Sequence, residues 1–256
     1  MTAELRRDPI SGRLVAIAPG RATRPGARKT LIEPETQEEL DECPFCAGRE
    51  DRTPPETLRL PAEGEWVVRV VPNLYPAVER QEVVIHSPRH VRTFAELADE
   101  EIELVAQVVE RTQAFWLVNE GPAAGSSLPH SHSQLAYAEP VIAESPAGVI
   151  DVLRRDDLVV AEREGMRAVA HPAGRLPYEL VVSADEIEPA LKLVRDCIAR
   201  VRQVEGPVPW NAWLHRGEAP HIEVVPRLTV MAGLELGAGI YVNSLDPAEA
   251  AVRLRR

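Results

Sequence analysis

The sequence predicts an α+β protein of two halves, each an antiparallel sheet with a helix packed on it. Three observations lead to this prediction. Short Val-rich segments bounded by Pro, Gly and Asn indicate strands, and two longer segments carry apolar residues at helical spacing. The order of strands, helix and strands also occurs twice, which indicates an internal duplication. We place the halves at residues 1–145 and 146–256.

The first half contains two strands and a helix in the part of the chain that follows a Pro-rich loop. Residues 66–72 and 81–86 are predicted strands, and the turn-like segment 73–76 separates them. Asp99 is a plausible N-cap of the following helix. The apolar spacing of that helix runs through Ile102, Val105, Val109, Thr112 and Phe115.

The second half repeats this order. Residues 166–170 and 178–183 are predicted strands around a turn at 172–177. A helix follows, with Leu191, Val194, Ile198 and Val201 on one face. Further strands are expected at 210–214, 222–225 and 240–242.

The charge balance restricts the class of partner. The chain has 256 residues and a formal net charge of −11, whereas general nucleic-acid binders carry a basic face. An acidic protein can still bind small phosphates where positive groups and backbone N–H donors are concentrated locally. No apolar run approaches a membrane span, and residues 1–7 lack the apolar core of a signal peptide, so we expect a cytoplasmic protein.

The cysteine content favours a reducing compartment. Only three cysteines occur, two of them in Cys43-Pro44-Phe45-Cys46. This spacing is typical of a metal knuckle or of a redox pair rather than of a disulfide framework.

The segment Pro129-His130-Ser131-His132-Ser133-Gln134 carries the main chemical signal. In an extended strand, alternate residues share a face, so His130, His132 and Gln134 project together. The preceding loop, 121–127, is built of small residues whose N–H groups and hydroxyls could hold a phosphate. A neutral imidazole, with an ordinary pKa near ~6.5, can attack phosphorus, and Gln134 can donate to a phosphate oxygen.

A simpler interpretation exists for the same segment. A His-x-His pair can be exposed, structural or metal-binding, and taken alone it favours that interpretation. The flanking glycine–serine loop and Gln134 favour nucleophilic chemistry instead.

The segment from Gly125 to Gln134 resembles the active-site segment of the galactose-1-phosphate uridylyltransferase family, a branch of the histidine-triad superfamily that includes ADP-glucose phosphorylase. Other segments match the family in the same order, and together they cover nearly the whole chain. They are Arg7-Asp8-Pro9, Arg21-Ala22-Thr23-Arg24-Pro25, Cys43-Pro44-Phe45-Cys46-Ala47-Gly48, Val71-Pro72-Asn73-Leu74-Tyr75-Pro76, Ser87-Pro88-Arg89-His90, Arg175-Leu176-Pro177-Tyr178-Glu179 and the tail from His221 to Asn243.

The resemblance implies two histidine-triad-like halves and a set of site residues. It makes His132 the nucleophile that forms the nucleotidyl adduct. Gln134 and Ser127 would hold the transferred phosphate, and Arg21, Arg24 and Asn73 would lie around the nucleotide. Without the resemblance, the two arginines would be interpreted as solvated loop residues.

The resemblance also implies one structural zinc site. Its ligands would be Cys43, Cys46, His90 and His130, a Cys2His2 set suited to tetrahedral zinc. A redox role for the cysteine pair is the competing interpretation, but no thioredoxin-like strand–helix context surrounds it. His86 lies close to His90 in the sequence and matches the motif less well.

Many relatives have a second metal site in the C-terminal half, and this chain departs from that pattern. The second cysteine pair is absent, and Cys197 is interpreted as a buried helix residue. We interpret His221 with Glu223 as too small a set for an ion, and His171 and His215 as structural or solvated.

The expected function is nucleotidyl transfer in galactose and carbohydrate metabolism. A nucleoside diphosphate sugar, most plausibly UDP-glucose, would give its nucleoside monophosphate to His132, and a hexose 1-phosphate would then accept it. The alternatives are an ADP-glucose phosphorylase that uses inorganic phosphate, a nucleotide hydrolase, or a non-catalytic zinc-binding interaction protein. The partners expected are a nucleotide sugar and a sugar phosphate, with no nucleic acid and no membrane. Family members are commonly dimers, so a homodimer is expected from the resemblance alone.

Overall fold

The computed structural model describes residues 3–24, 29–140 and 142–256. These residues form two sheets with helices packed around them. The strands are β1 (Glu4–Arg7), β2 (Leu14–Ile17), β3 (Leu58–Leu60), β4 (Val68–Pro72), β5 (Gln81–Ile85), β6 (Phe115–Glu120), β7 (His132–Ala136), β8 (Val159–Arg163), β9 (Met166–Ala170), β10 (Leu180–Ser183), β11 (Trp210–His215), β12 (His221–Pro226) and β13 (Ile240–Asn243). The α-helices are α1 (Gln37–Glu42), α2 (Asp99–Glu110), α3 (Pro146–Leu153), α4 (Ile187–Glu205), α5 (Gly233–Ala238) and α6 (Pro247–Leu254).

The large sheet is antiparallel and contains ten strands in the order β3-β4-β5-β7-β6-β11-β12-β10-β9-β8. Counted from either edge, the order is the same: three consecutive strands, then the last strand of the half, then the strand that follows the helix. We call β3–β7 the N-terminal half-sheet and β8–β12 the C-terminal half-sheet. The predicted α+β class is confirmed, with both halves in one continuous sheet joined at β6 and β11. The boundary at residue 145 stays a prediction.

One face of the large sheet is covered by α2 and α4, which also pack on each other. The predicted apolar face of α4 is buried there, because Leu191, Val194, Ile198 and Val201 all lie in the core. Each such side chain contributes roughly 1.5–3 kcal/mol when fully buried. The candidate site lies on the opposite face of the sheet.

The predicted helix in the first half is too long at its C-terminal end. α2 begins at Asp99, with Ala98 as the N-cap residue, and ends at Glu110. Phe115 begins β6, a central strand that the sequence prediction missed. Phe115 lies three residues after Thr112, a step that also occurs in helices, whereas β6 shows the alternating burial of a strand.

The small sheet joins the two ends of the chain. β2 pairs with β1 in antiparallel and with β13 in parallel orientation. No helix in the described ranges has both the length and the apolar character that a membrane crossing requires.

Candidate active site and metal centre

His132 is the first residue of β7, and its ring is oriented by a backbone contact. The Nδ1 atom lies 2.7 Å from the carbonyl oxygen of His130. A carbonyl oxygen can only accept a hydrogen bond, so Nδ1 carries the proton and Nε2 keeps its lone pair. The arrangement therefore leaves Nε2 as the nucleophilic atom.

The surroundings of His132 keep its ring neutral. The residue is 8% exposed, and burial lowers the pKa of the imidazole below its ordinary value. Because the neutral form carries the lone pair, His132 does not need a separate base before attacking phosphorus.

The loop before β7 has the backbone geometry expected of a phosphate cradle. Gly121 and Gly125 adopt φ angles of 85° and 90°, which favour glycine. A Cβ at Gly121 would also approach the side chains of Ile32 and Pro209 to 2.9 and 3.0 Å. The loop is closed by a hydrogen bond from the Ser126 N–H to the Gly121 carbonyl at 3.2 Å.

A cleft of about 460 Å³ opens between this loop and the segment 30–36, and His132 and Ser127 both line it. Gln134 does not line this cleft. It lies two residues further along β7 on the same face, and its side-chain oxygen accepts a hydrogen bond from Gln81. Its amide NH2 group therefore stays available as a donor.

The structure places the other predicted nucleotide-binding residues away from the cleft. Arg21 and Arg24 line a different cavity, of about 850 Å³, together with Tyr178 and Arg253. Asn73 follows β4, where its side chain accepts a hydrogen bond from the Tyr75 N–H at 2.9 Å. A direct role of these three residues at His132 stays a prediction.

The four predicted metal ligands converge. The Sγ atoms of Cys43 and Cys46 and the Nδ1 atoms of His90 and His130 offer donor atoms that all lie within 4.8 Å of one another. Cys43 Sγ is 3.3 Å from His130 Nδ1, and Cys46 Sγ is 3.4 Å from His90 Nδ1.

The hydrogen bonds around this group leave its lone pairs directed inward. His130 Nε2 donates to the Ser87 carbonyl at 3.0 Å, and His90 Nε2 donates to the Glu39 carboxylate at 2.9 Å. Both Nδ1 atoms are therefore free to coordinate, which is the usual outer-shell arrangement of metal-bound histidine. Burial and the nearby Cys43 raise the pKa of the Cys46 thiol to about 12. A bound cation would offset both effects, because it stabilises the thiolate form of the two cysteines. The residues thus fit a tetrahedral cation.

The four-donor group also touches His132. The ring of Phe45, between the two cysteines, packs edge-on against His132 with centroids 5.5 Å apart, and against His130 at 5.8 Å. The four-donor group and His132 are therefore one packed unit.

Comparisons with known proteins match the whole chain. ADP-glucose phosphorylase of Arabidopsis thaliana is 27% identical, in an alignment that covers 98% of this chain and 92% of that protein. Galactose-1-phosphate uridylyltransferase of Thermotoga maritima is 24% identical, in an alignment that covers 98% of each. No family model matches the chain.

Solved structures show the same fold. The crystal structure of the Arabidopsis thaliana ADP-glucose phosphorylase with bound ADP-glucose has a TM-score of 0.80 at 24% identity, covering 100% of this chain and 99% of that chain. A uridylyltransferase structure has a TM-score of 0.68 at 21% identity, covering 98% and 97%. The chain is homologous to these enzymes over nearly its whole length. The resemblance predicted from its motifs is confirmed.

A second polar cluster lies on the same sheet face in the C-terminal half. Glu144, His215, His221 and Glu223 offer donor atoms within 4.8 Å of one another. His221 and Glu223 are therefore joined by two further residues, of which Glu144 was not considered in the sequence analysis and His215 was interpreted as structural or solvated. The pairing of β11 with β12 brings His215 beside His221. Whether this group holds an ion is tested by the metal content of wild type and of Glu144→Gln.

Charge pairs of the protein itself already hold this second cluster. His215 Nδ1 is 2.9 Å from Glu144, and its Nε2 is 3.1 Å from Glu223. Burial opposes protonation of His215, but these carboxylates outweigh it and raise the pKa of the imidazole to about 9. Glu223 also contacts Arg175, which is paired with Glu179. His171, likewise interpreted as structural or solvated, is buried beside Asp8 at 3.3 Å.

Sequence reasoning also missed a polar chain that joins the half-sheets beside the cleft. Asn119 of β6 lines the cleft, and its side-chain oxygen accepts from Asn211 of β11 at 2.7 Å. Asn211 in turn accepts from Arg227 at 3.0 Å. These contacts leave the NH2 group of Asn119 to donate into the cleft. This contact could have been predicted only from the pairing of β6 with β11, and β6 itself was not predicted.

Proposed function

We propose that the chain is a nucleotidyltransferase that moves a nucleoside monophosphate from a nucleotide sugar through a covalent adduct on His132. The observation that carries the proposal is the free Nε2 of a neutral, buried imidazole at the wall of a cleft shared with Ser127. Homology to enzymes named for nucleotide-sugar chemistry supports the same reaction class.

In the first step, Nε2 of His132 forms a bond to the α-phosphorus of the nucleotide sugar. The bond from that phosphorus to the bridging oxygen breaks, and a sugar 1-phosphate leaves. Attack places positive charge on the ring, and the His130 carbonyl that accepts from Nδ1 stabilises this charge. The NH2 group of Asn119 and the loop around Ser127, which line the cleft, are the proposed donors for the phosphate oxygens. Gln134 lies outside the cleft, and its role as a further donor stays a prediction.

In the second step, an acceptor oxygen attacks the same phosphorus, and the bond to Nε2 breaks. The imidazole is a suitable leaving group because the departing nitrogen regains its lone pair and the ring becomes neutral again. In the leading assignment, UDP-glucose is the donor and a hexose 1-phosphate such as galactose 1-phosphate is the acceptor.

The second candidate is a phosphorylase in which ADP-glucose is the donor and inorganic phosphate is the acceptor. One observation favours it: the whole-chain alignment with ADP-glucose phosphorylase of Arabidopsis thaliana is 27% identical, against 24% for the uridylyltransferase of Thermotoga maritima. The two candidates share the first step and differ in the acceptor.

Zinc is the proposed occupant of the Cys43, Cys46, His90 and His130 group. It would act structurally by fixing His130, whose carbonyl orients the nucleophile two residues away. The cytoplasmic location and the homodimer stay predictions.

The test is detection of the adduct. Wild-type protein incubated with UDP-glucose or ADP-glucose should gain the mass of one nucleoside monophosphate, with the bond labile in acid and stable in alkali. The acceptor is then identified by adding galactose 1-phosphate or inorganic phosphate to the isolated adduct. A protein that forms no adduct with UDP-, ADP- and GDP-sugars, and whose melting temperature none of them raises, would support the non-catalytic interaction protein instead.

A further inference from the structure

A buried histidine that the proposed mechanism does not use lies directly behind the nucleophile. His86 follows β5, is fully buried, and lies on the face of the sheet opposite His132. Its Nδ1 is 3.0 Å from the hydroxyl of Ser131, and its Nε2 is 2.8 Å from the hydroxyl of Ser133. The two ring nitrogens thus contact the residues on both sides of His132 in the sequence.

This contact is chemically specific. Burial holds the pKa of His86 well below its ordinary value, so the ring is neutral and offers one N–H and one lone pair. A serine hydroxyl both donates and accepts, so one serine accepts from the ring while the other donates to it. An aliphatic or aromatic side chain of similar volume would leave two buried hydroxyls without these partners.

The backbone contacts show what this bridge fixes. The His86 N–H donates to the Ser131 carbonyl at 3.3 Å, and the Ser131 N–H donates to the Val91 carbonyl at 2.6 Å. Ser131 lies between His130, which supplies the carbonyl, and His132, which supplies Nδ1. The peptide geometry at Ser131 therefore determines whether the Nδ1 proton is held and Nε2 stays free.

We propose that His86 is a positioning residue for the nucleophile: its ring bridges the hydroxyls of Ser131 and Ser133 and thereby holds His132 in the tautomer that leaves Nε2 free. The proposal rests on the proposed function insofar as it predicts a rate. Its prediction for the tautomer does not depend on turnover.

The experiment compares His86→Phe, which keeps a ring of similar size, with His86→Gln, which keeps a donor and an acceptor. We expect His86→Phe to slow single-turnover adduct formation roughly 10- to 100-fold, because small misplacements of reacting groups have effects of this size. The dissociation constant of the nucleotide sugar should change less than about twofold, since no ligand contact is removed. His86→Gln should recover a large part of the rate.

A structural control comes from the same pocket. Phe94 packs edge-on against His86 with centroids 5.4 Å apart and contacts neither serine hydroxyl through a hydrogen bond. Phe94→Leu should lower the melting temperature and keep the wild-type rate of adduct formation. A loss of rate in Phe94→Leu equal to that in His86→Phe would reduce His86 to a packing residue and overturn the proposal.

The second readout separates this proposal from the proposed function. Long-range 1H–15N NMR of the His132 ring should show the Nδ1–H tautomer in wild type and His86→Gln, and a mixture in His86→Phe. If wild type forms no adduct, the proposed function fails, and the tautomer measurement still decides the role of His86. An unchanged Nδ1–H tautomer in His86→Phe would refute that role.

Discussion

The two half-sheets carry polar side chains at corresponding positions of β7 and β12. The side chain on β7 is neutral, whereas the one on β12 is ionised. Each strand is the last of its half and lies beside the strand that follows the helix. The sequence Pro129-His130-Ser131-His132 leads into β7, and Pro220-His221-Ile222-Glu223 leads into β12. Glu223 therefore occupies in one half the position that His132 occupies in the other.

The difference between these two residues is one of available lone pairs. His132 is neutral, and its Nε2 faces a cleft. Burial alone would raise the pKa of the Glu223 carboxyl, but Arg175 and His215 outweigh it and lower that pKa. A carboxylate held by two cations is not available to a substrate. One scaffold thus leaves a free lone pair at His132, where the buried group is neutral, and forms an ion network at Glu223, where the buried groups are charged.

The largest effect is expected from replacing His132 and Glu223 by glutamine, each in a separate variant. His132→Gln should lower adduct formation at least about a thousandfold, because removal of a nucleophile has effects of this order or larger. The control is Glu223→Gln, which should destabilise the protein while adduct formation continues. Intact-mass spectrometry after incubation with the nucleotide sugar measures both. Equal loss of the adduct in the two variants would break the comparison, since it would place both halves in one site.

Metal content tests the comparison next. Cys43→Ser should lose one equivalent of zinc and roughly 3 kcal/mol or more of stability, because metal binding and folding are coupled. For a chain of this size, the melting temperature would fall by about 10 °C. Cys197→Ser alters a buried cysteine of α4 and should keep the metal.

Elemental analysis of Glu144→Gln completes this test for the C-terminal half. We expect its zinc content to equal that of wild type, because His215 and Arg175 already balance the carboxylates of that half. A second equivalent of metal in wild type that disappears in Glu144→Gln would show that both halves are metal sites.

Local pattern was sufficient to predict much of the fold and the centre of the site. A Val-rich strand pattern and the apolar spacing of a helix each lie within a single element. For this reason β4, β5, β9 and α4 could be predicted from the sequence. The alternating spacing likewise put His132 and Gln134 on one face of β7, and Phe45 contacts both His130 and His132. The four metal donors were predicted from a colinear resemblance, which already contains the fold of relatives.

What could not be predicted depends on which strands become neighbours. The cluster of Glu144 and His215 with His221 requires the pairing of β11 with β12, and the contact of Asn119 with Asn211 requires that of β6 with β11. The pairing of β6 with β11 leaves no local signal, because the two strands lie far apart in the sequence. The predicted helix was too long because Thr112 and Phe115, which follow α2, continue its apolar spacing over a few residues.

His215 should make the stability of the C-terminal half-sheet depend on pH. Its pKa is about 9 in the folded protein and 6.5 in its ordinary state, so the folded form binds the proton more tightly. The resulting stability is complete below pH 6.5 and is lost as the pH rises through 9. Its size is on the order of 3 kcal/mol at most.

Chemical unfolding at pH 6, 7.5 and 9.5 measures this effect, with His215→Gln as the comparison. The variant should lack this part of the pH dependence. The Trp213 indole N–H also points at His215 Nε2 at 2.6 Å. If Nε2 instead stays unprotonated and accepts from Trp213, wild type and variant will show the same profile, and the C-terminal cluster is not an imidazolium network.

The smallest effect is expected where the two half-sheets meet. Asn211→Ala removes the donor that engages both the Asn119 side-chain oxygen and the Ala124 carbonyl in the loop before β7. We expect nucleotide-sugar binding to weaken about 3- to 10-fold, the equivalent of one hydrogen bond. Asn243→Ala is the matched control, because Asn243 is also buried and donates to the Gly174 and Leu176 carbonyls outside the cleft. It should lower stability without changing the dissociation constant. Unchanged binding in Asn211→Ala would mean that Asn119 needs no support from the C-terminal half, and that the N-terminal half-sheet orients its phosphate donors alone.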